Sequence, residues 1–115
     1  MEMINSGLKS AMFAVIGLSV TTPMVALAEP PGVFYSWRES EISVADCIRR
    51  GEAALEAEGM ENISGDTTSV AGRSADVTAL FVCLDHANST TVMIVVASED
   101  DTQAVRVRES LKATF

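Results

Sequence analysis

A chain of 115 residues with 16 acids against eight bases, and a formal net charge of −8, has the length of one small domain. An acidic surface repels phosphate backbones and anionic lipid, and no basic stripe interleaved with aromatic residues occurs. Nucleic acid and anionic membranes are therefore excluded as expected partners, and the charge reads as a solvated surface that keeps the protein in solution.

Residues 1–28 have the pattern of a secretory signal peptide. Lys9 and the amino terminus supply positive charge, Ala11 to Val20 form the apolar core, and Ala26-Leu27-Ala28 is a small-x-small cleavage site. The alternative is an uncleaved anchor, but Thr21, Thr22 and Pro23 interrupt an apolar run already short for a span. No cysteine stands at the junction to accept a lipid. The expected mature chain is Glu29 to Phe115, residues 29–115; it keeps the full net charge, because one acid (Glu2) and one base (Lys9) leave together.

Glu29-Pro30-Pro31-Gly32 is a stiff lead-in without helix or strand pattern. Val33, Tyr35 and Trp37 then alternate with Phe34, Ser36 and Arg38, as in a strand with both faces partly apolar. Ser43 to Gly59 is the best-marked helix. Ser43 suits the N-cap, with Asp46 three residues on, and Ile42 and Cys47 are spaced for a hydrophobic staple. Val44, Cys47, Ile48, Gly51, Ala54 and Leu55 recur at helical spacing, and Gly59 can take the left-handed conformation that ends the helix, with Met60 folding back.

Asn62 to Arg73 is polar and glycine-containing, so it reads as a weak edge strand or as a loop and a short strand, with Gly65 and Gly72 at bends or bulges. Val77 to Asp85 and Thr90 to Ser98 are β-branched and apolar, separated by the turn-like His86-Ala87-Asn88-Ser89, and predict a hairpin. A last helix is expected to begin near Ser98, with Glu99, Asp100 and Asp101 at its amino end and Ala104, Val107, Leu111 and Phe115 as its buried stripe. The order β-α-β-β-β-α predicts an α+β two-layer sandwich, with a mainly antiparallel sheet and both helices on one face.

Both cysteines, Cys47 and Cys83, fall in the mature chain. Exported domains of this size have modest cores and use disulfides, and closing this loop would contribute roughly 4 kcal/mol. Two buried free thiols are the alternative. If Cys83 faces the helix, Ala79 and Phe81 do too, and Leu80, Val82 and Leu84 point away. With Val92, Ile94 and Val96 they make a candidate interaction face, expected to meet the Trp37 region, a second copy of the chain or another protein.

Trp37, the Ser43 to Cys47 spacing, Ala54-Leu55 with Gly59 behind them, Gly72, Cys83 in a strand and Val95-Val96-Ala97 before a terminal helix together resemble small exported bacterial proteins of uncharacterised function. The resemblance spans most of the mature chain. It implies a periplasmic location and brings no catalytic residue or cofactor with it.

No catalytic, cofactor-binding or metal site is expected. The single histidine, His86, lies in a turn; the cysteines lack C-x-x-C spacing; and neither Asp85-His86 nor the acidic run Glu99-Asp100-Asp101 has ligand spacing for zinc or calcium. The expected function is that of a small exported non-enzymatic protein, periplasmic or secreted, that binds a protein or itself. The rivals are a small periplasmic hydrolase or inhibitor-like factor, and an envelope protein that keeps residues 1–28.

Overall fold

The structure is a computed structural model that describes residues 30–115; the expected signal peptide and its cleavage site lie outside them. The elements are β1 (Gly32–Ser40), α1 (Val44–Ala57), β2 (Glu61–Gly65), β3 (Ser69–Arg73), β4 (Val77–His86), β5 (Ser89–Ser98) and α2 (Asp101–Thr114). The five strands form one antiparallel sheet in the order β1-β5-β4-β3-β2, and the buried stripes of both helices pack on one face of it. This is the expected two-layer α+β architecture with one more strand, because the Asn62 to Arg73 region folds as a hairpin of its own.

Helix α1 is set by its ends. Ser43 Oγ accepts from the Asp46 N–H at 3.0 Å, satisfying one amide that the first turn leaves free. The carboxylate of Asp46 does not complete a capping box, because Arg49 takes it. At the other end Gly59 has φ 83°, its N–H donates to Glu56 O and that of Met60 to Leu55 O, both at 3.0 Å. That is a Schellman closure, and Met60 and Leu55, which it brings together, are both buried. The buried face is Cys47, Gly51, Ala54 and Leu55. Gly51 is needed for close approach: a methyl group there would lie 2.9 Å from Cγ of Phe81.

Helix α2 begins at Asp101, three residues after the expected point. Asp100 is the cap, its Oδ1 accepting from Thr102 N at 3.0 Å and Gln103 N at 3.2 Å, while Ser98 Oγ accepts from Asp100 N. The acidic run thus has a helix-starting role. Ala104, Val107 and Leu111 are buried as expected, and Phe115 stacks on Phe81 with centroids 5.2 Å apart. The helices are tied at one end by Glu58, which accepts from Ser110 Oγ at 2.5 Å and pairs with Arg106 at 3.3 Å.

The β2–β3 turn owes its form to Asp66. Its Oδ1 accepts from Thr68 N at 2.8 Å and Ser69 N at 2.9 Å, and its own N–H donates to Ser69 O. Those two amides, Thr68 first, favour the charged carboxylate and hold its pKa below the ordinary aspartate value. A depressed folded pKa stabilises the turn above the unfolded value, and the contribution is lost as pH falls through the folded one. An NMR titration should therefore give Asp66 a midpoint below about 3.9, with protonation loosening the Thr68 and Ser69 amides. A midpoint at or above that value would overturn this account of the turn.

Two contacts close the outer parts of the sheet. Thr90, 1 % exposed, donates from Oγ1 to Ile42 O at 2.6 Å and fastens the β1–α1 connection to β5. On the other side of β1, Arg108 Nη1 donates to Tyr35 O at 3.3 Å, so a charged side chain lies along the strand that ends the sheet.

Candidate functional site

The disulfide sets the phase of the sheet. Cys47 on α1 and Cys83 on β4 are bonded, with α-carbons 6.0 Å apart, and both are fully buried. The helix face of β4 is therefore Ala79, Phe81 and Cys83, as expected, joined by Val77, and Leu80, Val82 and Leu84 are on the other face.

The β5 part of the expectation needs correction. Cys83 pairs with Val92, Phe81 with Ile94 and Ala79 with Val96, and directly opposed residues share a face. Val92, Ile94 and Val96 are consequently core residues, at most 5 % exposed, and the residues of β5 that join Leu80, Val82 and Leu84 are Thr91, Met93, Val95 and Ala97. The register with β1 adds Val33, Tyr35 and Trp37, opposite Ala97, Val95 and Met93.

The segment before Trp37 does not fold across this face. It lies in the plane of the sheet as β1, and it enlarges the apolar surface it could have covered. Val33, Tyr35 and Trp37 are 61, 60 and 59 % exposed and Leu84 is 45 % exposed. Leu80, Val82, Met93 and Val95 between them are half-buried by their neighbours. Among the described residues nothing packs over them. Sequence reasoning missed Val33, Tyr35, Met93 and Val95 because their face depends on pairing between β1 and β5, which alternation within one strand does not reveal.

Charge is nearly absent here. Over β1, β5, β4 and β3 the face carries one acid, Glu39, and one permanent base, Arg73. Glu39 lies 3.6 Å from His86 Nε2 at the rim, on the hairpin tip, where both are exposed. That is the only carboxylate within ion-pair reach of His86 among the described residues. No group of three or more His, Cys, Asp or Glu with metal-holding geometry occurs among them. The arrangement offers an apolar, aromatic-edged plane for contact rather than a cleft that would collect reacting groups.

A disulfide fits a protein kept away from reducing surroundings. No helix among the described residues is long and apolar enough to cross a membrane. No family model matches the chain, and no curated protein matches it.

Proposed function

We propose that this is a small exported non-enzymatic protein that works by associating with itself, its uncovered sheet face packing on the same face of a second copy. The observation that carries the reading is a contiguous aromatic and aliphatic face, almost free of charge, on a chain with net charge −8. Such a chain repels its own copies wherever carboxylates would meet. The uncovered face is where two copies can approach without that cost.

The dimensions suit the purpose. Strands β1, β5, β4 and β3, of 9, 10, 10 and 5 residues, lie about 4.8 Å apart and span on the order of 540 Å² in projection, and side-chain relief brings the accessible area nearer the roughly 800 Å² per partner of a standard specific interface. Two sheets packed face to face would bury Tyr35 and Trp37 as the anchors that dominate such contacts. Export is supported by the signal-like pattern of residues 1–28 and by the disulfide.

Trp37 is the single tryptophan, so its fluorescence reads this face directly. Sedimentation equilibrium of the purified protein should show a concentration-dependent dimer, with Trp37 emission moving to shorter wavelength over the same range. The exposed-site pair Tyr35→Glu with Trp37→Glu should give a folded monomer at every concentration. A wild-type protein that stays monomeric at high micromolar concentration, or a dimer whose Trp37 remains wet, would sink the reading. Pull-down of a different protein through this face, with no dimer, would point to a heterologous partner instead.

A further inference from the structure

A recess of about 250 Å³ lies on the opposite, helix-bearing side of the sheet, between β1 and the end of α2. Its floor is Val92 and Ile94, and one wall is the Phe115 ring. The rim is basic. Arg38 and Trp37 come from β1 and Lys112 from α2, and Arg50 of α1 stands beside the aromatic wall; Arg38 and Arg50 each hold a guanidinium carbon 5.7 Å from the centroid of the Phe115 ring.

The charge distribution makes this placement informative. Acids outnumber bases 16 to eight in the chain, and Arg49, Arg106, Arg108 and Lys112 each have a carboxylate within 4 Å. Arg38, Arg50 and Arg73 have none among the described residues, and the first two both stand at the Phe115 ring. Two elements therefore bring cations to the recess and α1 brings Arg50 to its aromatic wall, and Arg38 and Arg50 are left without an acidic partner although acids are in excess.

We propose that this recess binds a small amphiphilic carboxylate, its head group held by Arg38 and Arg50 and its hydrocarbon tail laid on Val92, Ile94 and Phe115. A guanidinium fork matches a carboxylate in shape and charge, and the apolar floor accepts only a tail that prefers to leave water. A recess of about 250 Å³ has room for a short hydrocarbon tail, and a medium-chain fatty acid is a fitting probe of it. The recess lies on the other side of the sheet from the proposed self-association, and Trp37 of β1 borders both.

Octanoate titrated into the ¹⁵N-labelled full chain is the test, with acetate carrying the same head group without the tail and 1-octanol the tail without the charge. Octanoate should shift the amides of Val92, Ile94, Lys112 and Phe115 saturably, and the other two should bind at least about tenfold more weakly, as expected when a charged hydrogen-bond partner or a buried chain is removed. The double variant Arg38→Gln with Arg50→Gln, both at exposed positions, should keep its thermal transition and lose octanoate affinity by a similar factor. Tyr35→Glu, on the opposite face and outside the recess, should leave octanoate binding unchanged. Absence of saturable shifts at millimolar octanoate, shifts centred on Leu80, Val82 and Met93 of the opposite face, or an unaltered affinity in the double arginine variant would each overturn the proposal.

Discussion

Replacing Cys47 and Cys83 together by alanine should lower the unfolding free energy by roughly 4 kcal/mol, the entropy of the loop that the bridge removes from the unfolded chain. The two residues are 36 apart in sequence, and net stabilities of small domains run from about 5 to 15 kcal/mol. The bridge thus supplies a large share of what an 86-residue body of this kind has to spare. Urea denaturation of the double variant should show the loss as a lower midpoint, and wild-type protein unfolded in the presence of a reductant should show nearly the same shift. Equal midpoints with and without reductant would mean that the helix and the sheet hold each other without the bridge.

The second large effect is expected where α1 crosses the sheet. Phe81 is fully buried, stacks on Phe115 and lies under Gly51. Phe81→Ala should cost about 3 to 5 kcal/mol, through lost burial and the cavity left behind. Gly51→Ala should cost about 1 to 3 kcal/mol for the opposite reason, since the new methyl would stand 2.9 Å from Phe81 Cγ and 3.0 Å from Val70 Cγ1. The two faults are complementary: a methyl group at residue 51 has room once the ring at 81 is gone. Thermal or urea melts of the three variants form a cycle in which the double variant should be less damaged than the sum of the singles by at least about 0.5 kcal/mol. Additive losses would show that α1 does not rest on Phe81.

Local chemistry made α1 readable from its residues, since Ser43 at one end and Gly59-Met60 at the other specify a start and a stop without reference to the rest of the chain. The phase of β4 followed from Cys83 once a bridge to α1 was assumed. The β2–β3 hairpin was harder, because Ile63 and Val70 are almost its only apolar residues and its turn depends on the Asp66 carboxylate collecting two amides, a signal present in Asp66-Thr67-Thr68-Ser69 but carried by no hydrophobic pattern.

For β5 both alternating sets are apolar, so neither Val92, Ile94 and Val96 nor Met93 and Val95 declares itself the inner one. The turn decides it. Centring the hairpin between Ala87 and Asn88 sets His86 against Ser89 and Cys83 against Val92, and the inner set follows by counting. The face that carries the proposed function could be read only in part: the Val33, Tyr35 and Trp37 alternation is plain, but its position beside Met93 and Val95 is a property of β1 returning to the far edge of the sheet.

The guanidinium of Arg108 on the Tyr35 carbonyl bears on how far assembly can go. A bare outermost strand invites another chain to add a further strand, and that event can repeat without limit, as in fibres. Here one margin is guarded by a cation on its free acceptor, and the opposite margin is a five-residue strand with an irregular register. Growth sideways is discouraged at both margins, while two flat faces that meet about a two-fold axis use each other up. On the proposed self-association, assembly would thereby stop at a pair.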